Sequence, residues 1–599
     1  MRILASVLAV CLLALPAAGG SQPATRPSGA LLITGAMVFD GTGRDPFPAD
    51  VLLRDGRIEA MGRGLRRPRG VPVVQAGGAT LMPGLFDVHT HWTPGGEPAV
   101  LTDIANAYIA HGVTTVVDYH QAPEAYAPRR EWLSRLATPE VRFVARVSTP
   151  LGHGADWADE ATTRWINSPE AARRAIEDIA PYRPDLIKAF TDGWRYGNAA
   201  DNTSMDPATL AAVVEGAHSH GWEVVSHTVT VQRGREAAGA GVDVIAHSLL
   251  DRPLEQEDIA AIKAAGTRLS PTLAVYEPVR VGDDPPKDPQ SRTLQNRRRN
   301  FGFALRNVKA LHDAGVPVVL GTDAGMPGTP HGSATLHELE LLMRAGLTPV
   351  QALVAGTSAA ADALGMRDRG RIAVGQRADL VLVDGAPWRD IGEVKRIRQV
   401  WIDGRQVHGP GTVLPIANAQ RWPAATPVAS LVDDFERADG RTALDTLRTD
   451  EADGGNDRTV QVTERVDRED RGHALSVQAR LSSKGTAYAN VVFPLSRGSV
   501  LPVDLRRYSR LRMQVRGDAP ALRVELRGTE GARWRKPVAV DGRWREVVIE
   551  LAALEALKPV RGDGPARPWR GDDLQQVVVG TGGAPGETVW FELDALRFE

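Results

Sequence analysis

The chain of 599 residues contains one cysteine, Cys11. A single thiol excludes an internal disulfide framework. Neither sign of charge is in excess: 71 Lys and Arg stand against 73 Asp and Glu, a net charge of −2. This argues against a nucleic-acid binder, which would carry a surplus of basic charge. With 60 Gly and 41 Pro the chain falls below the roughly 25–30% that marks low complexity. At about 150 residues per domain the length suits about four domains, or fewer if one is an α/β barrel.

Long apolar runs are also missing, except at the N-terminus. Met1-Arg2 is followed by an apolar run over residues 3–15 and then Pro16-Ala17-Ala18-Gly19-Gly20. A basic start, a short apolar core and small residues describe a secretory signal peptide over residues 1–20. The run is shorter than the ~20 residues of a membrane-spanning helix. A periplasmic or secreted mature chain is expected, without stable membrane insertion and without cysteine, since Cys11 sits inside the run.

Histidine is unevenly placed. Twelve of the 14 His lie between His89 and His337. Residues 21–30 read as a linker. Short strand-like runs follow over 31–83, broken by Gly and Asp-Gly turns. From residue 84 to 369 strand candidates alternate with helical segments. The strands are expected at 85–91, 114–120, 142–149, 186–192, 223–228, 244–248, 268–274 and 317–323. Helices are expected at 100–111, 169–183, 207–220, 255–265 and 303–314, several of them closed by Gly. Eight such units argue for a (β/α)8 TIM barrel. Short strands return over 370–409, and these are expected to join residues 31–83 in one composite small β-sandwich. Residues 410–429 form a second linker. Residues 430–599 alternate apolar and polar positions throughout, as in Leu511, Met513 and Val515, and predict a separate all-β jelly-roll or sandwich domain.

The barrel reading locates the chemistry, because barrel active sites lie at the C-terminal strand ends. His89 and His91 are two apart on the first strand and point the same way. Lys188 lies in the fourth strand among apolar neighbours, where a lone ammonium is costly. It is either a snorkelling side chain or a carbamylated lysine able to bridge two metal ions. His227, His247 and Asp323 end the fifth, sixth and eighth strands. Six metal-capable side chains at the ends of five strands are expected to form a metal centre. His120, His153, Tyr276 and His331 follow other strands and are candidates for substrate contact. Arg280, Arg292 and the run Arg297-Arg298-Arg299 fall in a long segment after the seventh strand, read as a solvated charged lid.

Several stretches carry a resemblance. These are Met82-Pro83-Gly84-Leu85-Phe86-Asp87-Val88-His89-Thr90-His91, Gly112-Val113-Thr114-Thr115-Val116, Ile187-Lys188, Gly321-Thr322-Asp323-Ala324-Gly325 and Gly375-Gln376-Arg377-Ala378-Asp379-Leu380. Over residues 30–410 the chain resembles the amidohydrolase superfamily, in its imidazolonepropionase-like and Xaa-Pro dipeptidase-like branch. The resemblance implies two divalent metal ions, zinc being the usual metal. His89 and His91 would bind one ion with Asp323, His227 and His247 the second, and carbamylated Lys188 would bridge them. It also implies hydrolysis of a small amide or dipeptide by activated water, with Asp323 as general base and acid, in a homo-oligomer. His120 departs from the Arg-Asp that such relatives often carry there.

The last domain is similar to jelly-roll carbohydrate-binding modules and to the complex I intermediate-associated protein 30-like domain. This rests on Asp433-Asp434-Phe435-Glu436, Trp544-Arg545-Glu546-Val547 and Phe591-Glu592-Leu593-Asp594-Ala595-Leu596. Glycan binding is then one expectation, with Trp534 and Trp569 as stacking platforms and Trp544 and Trp590 in the core, and docking against the barrel or a second subunit is another. Ester, lactone or phosphotriester hydrolysis on the same metal site stays open, as does a glycan-binding protein with an idle barrel.

Overall fold

The computed structural model describes residues 29–92, 101–136, 138–155, 162–192, 203–279, 288–412, 423–454, 457–468, 472–559 and 565–599. The expected signal peptide, Cys11, most of the first linker, half of the second and Arg280 lie outside the described residues. Among the described residues no helix is long and apolar enough to cross a membrane.

Seven parallel strands form the barrel wall in sequence order: β1 (Leu85–Thr90), β2 (Val113–Asp118), β3 (Glu140–Ser148), β4 (Leu186–Phe190), β5 (Glu223–His227), β6 (Val244–Ala246) and β7 (Arg268–Ser270). Their inward side chains, among them Phe86, Val117, Val144, Leu186, Val225 and Val244, fill the interior below the strand ends.

The expected eighth strand is not a regular one. Residues 317–323 close the wall through single bridges, Leu269 with Val318 and Thr90 with Ala324. Backbone bonds flank them: Val319 N donates to Leu269 O at 2.8 Å, Val88 N to Leu320 O at 3.0 Å, and Asp323 N to His89 O at 2.8 Å. Two residues interrupt a regular ladder here. Asp323 has a left-handed backbone with φ 61°. Gly321 lies so close to its neighbours that a Cβ would stand 2.5 Å from Ser270 Oγ and 2.9 Å from His89 Cβ.

The outer helices form where the sequence supplies both a cap and an apolar stripe. Ser168 accepts from Ala171 N to start the helix Pro169–Ile179, which buries Ala172, Ala175, Ile176 and Ile179 at helical spacing. Asp206 caps Pro207–Ser219 in the same way. The basic segment read as a charged lid is helical, and its arginines are exposed to solvent as expected. Arg292 and Arg297-Arg298-Arg299 belong to a 22-residue helix, Arg292–Asp313, that buries Leu294, Phe301, Ala304, Val308 and Leu311. Its apolar positions sit three, four and seven apart, and this stripe outweighs the basic run on its open face.

Residues on either side of the barrel meet in one hydrogen-bonded sheet of eight strands, in which Leu380–Val383 pairs antiparallel with Thr80–Pro83. One face encloses Ile33, Val51, Leu81, Leu382 and Trp401. The other sets Val381, Val383 and Val400 against the barrel core. Beyond residue 425 two further sheets stack on a shared core that includes Val477, Val491, Phe493, Leu526 and Trp534.

The tryptophans of this domain depart from expectation. Trp534 is fully buried and its Nε1 donates to Arg567 O at 2.8 Å, so it offers no face to a sugar. Trp569 packs edge-on against it. Trp544 and Trp590, expected in the core, are only half-buried. Strand alternation turns Trp590 outward beside the buried Val589 and Phe591. Trp544 precedes the strand Arg545–Glu550 and lies between the guanidinium groups of Arg468 and Arg516.

The last domain touches the barrel at the loop that follows β2. Arg441 reaches the buried Glu124 with Nη2 at 2.7 Å from Oε1 and Nη1 at 3.4 Å from Oε2, and Nη2 also meets Tyr182 OH at 3.2 Å. Gly498 abuts Ala125 so closely that any side chain would collide. Removing Arg441 strands a buried carboxylate. Arg441→Ala is expected to cost about 1–3 kcal/mol, read as a lower unfolding midpoint. Adding Glu124→Gln should cost little more, because the pair acts as a unit.

Candidate metal centre

The side chains singled out in the sequence meet at the C-terminal mouth of the barrel. β1 delivers His89 and His91, and residues 317–323 deliver Asp323. His91 Nε2 lies 2.9 Å and His89 Nε2 3.4 Å from Asp323 Oδ1. The ligand atoms of all three fall within 4.8 Å of one another, and all three residues are buried. Lys188, from β4, places Nζ 3.5 Å from His89 Nε2. The His247 ring lies 4.8 Å from that of His89 and 4.4 Å from that of His227. The six residues therefore form one contiguous group.

This donor set fits a divalent cation. Asp323 Oδ1 is buried and makes no hydrogen bond although two imidazole nitrogens face it. Such convergence of acceptor atoms suits a cation between them. Burial, reinforced by neighbouring cationic groups, holds His89, His227 and His247 well below the usual imidazole pKa. They are neutral, the form that ligates metal. Thr272 Oγ1 engages His247 Nδ1 at 2.8 Å, leaving Nε2 for a ligand. Burial pushes the Lys188 ammonium down to about 7, partly opposed by Asp323. Much of this lysine is then uncharged amine near neutral pH.

The backbone is bent to make these contacts. His247, Thr272 and Asp323 have φ of 78°, 44° and 61°, left-handed values that non-glycine residues avoid. Each ends or follows a strand position, and the turn aims the side chain across the mouth. Strain of this kind gathers at functional sites.

The four candidate substrate residues border the same group. The His153 ring is 4.4 Å from that of His227. His120 stands edge-on to His91 at 5.7 Å, and Tyr276 edge-on to His247 at 5.7 Å. His331 hangs from Tyr108 OH through Nδ1 at 3.0 Å, and burial lowers its pKa to about 4.

Sequence reasoning missed the supports. Tyr119 stacks on His89 at 4.2 Å and lies under Lys188 Nζ at 4.8 Å. Arg146 on β3 is in register with Lys188 on β4 and is buried beside it. Glu338 accepts from Leu273 N and Ala274 N at 2.7 and 2.8 Å, fixing the turn that carries Thr272. Asp87 is the most connected. Its carboxylate accepts from Thr322 Oγ1 at 2.7 Å, Thr335 Oγ1 at 2.8 Å and Thr322 N at 3.1 Å. It thus ties β1 to the residue preceding Asp323. The Asp-x-His-x-His run was visible in the sequence, but nothing there showed that its first member holds the opposite wall.

Asp87→Ala should release Thr322 and loosen Asp323. The expected outcome is a loss of about 10–100-fold in metal affinity or activity, measured by titrating metal into apoprotein. Thr335→Val, which removes one of several bonds, should cost less.

A family model described as the amidohydrolase family matches residues 80–407. The imidazolonepropionase of Deinococcus deserti is 25% identical over 395 residues, spanning 60% of this chain and 92% of that protein. Adenine deaminase 2 of Agrobacterium fabrum is 28% identical over 369 residues, spanning 59% of this chain and 53% of that protein. Among solved structures, a Xaa-Pro dipeptidase with methionine in its active site superposes with a TM-score of 0.55 at 22% identity, covering 64% of this chain and 100% of that one. A putative prolidase from Bifidobacterium longum gives a TM-score of 0.55 at 24% identity, covering 65% of this chain and 98% of that one. These solved structures share the fold. Over its matched half and more, the chain belongs to the amidohydrolase family and is a metal-dependent hydrolase of carbon–nitrogen bonds.

Proposed function

We propose that the chain is an exported binuclear amidohydrolase that cleaves the amide bond of a dipeptide or an N-acyl amino acid. The observation that carries this reading is the contiguous buried group of His89, His91, Lys188, His227, His247 and Asp323. His89, His91 and Asp323 would hold one ion, and His227 and His247 a second, with zinc suited to both sets.

The state of Lys188 decides whether two ions fit. An uncharged ε-amine can add to carbon dioxide. The nitrogen lone pair forms the new C–N bond and one proton leaves to solvent, giving a carbamate with two oxygen donors. The lowered Lys188 pKa supplies that amine at neutral pH. The carbamate would then bridge the two histidine pairs.

Divalent ions at these positions would supply Lewis acidity toward the scissile carbonyl and acidify water toward neutral pH. The chain's own residues do the rest. Asp323, beside both β1 histidines, takes the proton from the attacking water and returns it to the leaving nitrogen. Tyr119 and the barrel wall keep bulk water from Lys188. His153 and Tyr276, which border the second histidine pair, are placed to orient the substrate. The likeness in fold to a Xaa-Pro dipeptidase supports a dipeptide as the first substrate class to try. The short apolar run at residues 3–15 supports export.

Elemental analysis of protein purified without chelator and with bicarbonate should give about two zinc ions per chain. Lys188→Ala should lose metal and activity together, and short carboxylic acids should restore part of both. Full metal content in that variant would remove the carbamate. Asp323→Asn should lower kcat by about 10²–10⁴-fold. Failure of the zinc-replete enzyme on a panel of dipeptides and N-acyl amino acids would overturn the substrate class.

A further inference from the structure

The loop that follows Asp323 is fastened at both ends. Thr329 Oγ1 donates to Asp323 O at 3.0 Å, and Gly325 N donates to Thr329 O at 2.9 Å. Gly325 has φ 100°, and a Cβ there would stand 2.1 Å from His91 O. Gly332 has φ 76°, and a Cβ there would stand 2.4 Å from Ala107 O on the helix Leu101–Ala110. Only glycine allows both approaches. The loop is thus pressed against His91 at one end and against that helix at the other. His331 immediately precedes Gly332, at the second clamp.

Tyr108, on the same helix, meets His331. The phenol is fully buried, and its OH lies 3.0 Å from His331 Nδ1. The two rings stand edge-on at 5.4 Å. Trp92, the residue after His91, stacks on Tyr108 at 5.9 Å and confines the phenol. Burial keeps the phenol protonated, and a buried hydroxyl hydrogen needs an acceptor. Thr90 Oγ1, the other hydroxyl near the phenol, gives its own hydrogen to Val117 O at 2.8 Å and stands farther off. The phenol hydrogen therefore goes to the nearer acceptor, Nδ1. Burial also keeps the His331 ring neutral. A neutral ring that accepts at Nδ1 carries its one hydrogen on Nε2. His331 is partly exposed, and its Nε2 makes no hydrogen bond among the described residues.

We propose that His331 is a specificity residue whose Nε2–H donates to the carboxylate of the substrate, and that Tyr108 is the positioning residue that keeps the hydrogen on that nitrogen. On the binuclear reading, which this assignment presupposes, the scissile carbonyl belongs with the ions. A dipeptide or an N-acyl amino acid carries one carboxylate besides that carbonyl, and this group needs a donor beside the centre. His331 supplies one from a loop fastened to both Asp323 and His91. Being neutral, it selects by hydrogen bonding and not by net charge. The bond forms only while the open nitrogen holds the hydrogen, and the phenol secures that state.

The test is equilibrium binding of two probes without a scissile bond to the zinc-loaded full chain. 2-Benzylsuccinate has one carboxylate for the ions and a second for His331, and 4-phenylbutanoate lacks the second. Wild type should bind 2-benzylsuccinate about tenfold more tightly. His331→Phe should abolish that preference and Tyr108→Phe should reduce it. The double variant should match His331→Phe alone, because the phenol acts through the imidazole. Nitrogen NMR of histidine-labelled holoprotein should show His331 protonated at Nε2 in wild type and a mixture of tautomers in Tyr108→Phe. All variants should keep the wild-type zinc content and affinity for 4-phenylbutanoate. An unchanged preference in His331→Phe, equal loss of both probes, or a wild-type His331 protonated at Nδ1 would each overturn the proposal. Equal binding of the two probes by wild type would overturn it as well. Neither probe is cleaved, so the result stands apart from whether any amide substrate turns over.

Discussion

The barrel is closed at a seam, and the metal donors straddle it. β1 and residues 317–323 are joined by isolated bridges and a few backbone bonds instead of a regular ladder. His89 and His91 stand on one side and Asp323 on the other. What holds the seam in register is one carboxylate: Asp87 reaches across to Thr322 and on to Thr335 in the following helix. Its environment is expensive, since burial pushes its pKa up to about 7 against the pull of those hydroxyl and amide donors. A buried polar group of this kind is tolerated when its bonds fix a geometry that apolar packing would leave loose. A cation shared by His89, His91 and Asp323 would add a second tie across the same seam.

Much of this was legible in the sequence because strand alternation and barrel topology are strong constraints. Once residues 85–91 are a strand in a parallel barrel, His89 and His91 must share a face at the strand mouth. His227 follows from the same rule, whereas His247 lies just past its strand Val244–Ala246 and is aimed inward by a left-handed backbone with φ 78°. What the sequence hid were contacts between residues distant along the chain. Thr272 directs His247 from the next strand, and Tyr119 lies under Lys188 from two strands away. Neither residue type announces such a role. The helical conformation of the exposed basic segment was hidden for a different reason. Arg297-Arg298-Arg299 drew attention to charge, while the helix is set by the apolar stripe of Leu294, Phe301, Ala304, Val308 and Leu311. Trp544 and Trp590 are only half-buried because one precedes its strand and the other falls on an outward position of its own. Their outward placement is paid for by cation–π contact in the case of Trp544.

The C-terminal domain is coupled to the barrel through a short piece of chain. Glu124, gripped by Arg441, is five residues from Tyr119 and four from His120. Tyr119 stacks on a candidate ligand and His120 meets another edge-on. The contact between the domain and the barrel thus lies within five residues of the wall of the site.

Charge balance connects Lys188 to the rest of the centre. As an ammonium it would place a cation among the imidazoles of His89, His227 and His247, with Asp323 as the one carboxylate in the group. Burial disfavours that arrangement, and it lowers the Lys188 pKa. Conversion to a carbamate, as proposed, would reverse the sign of the side chain. The centre would then hold two anionic donors and four imidazoles, a set suited to two divalent ions. The uncharged lysine needed for that conversion is itself a product of the apolar strand around it, Leu186-Ile187-Lys188-Ala189-Phe190, every residue of which is buried. The burial that makes an unmodified lysine unfavourable at this position is thus the same property that would prepare it for the proposed role of ligand.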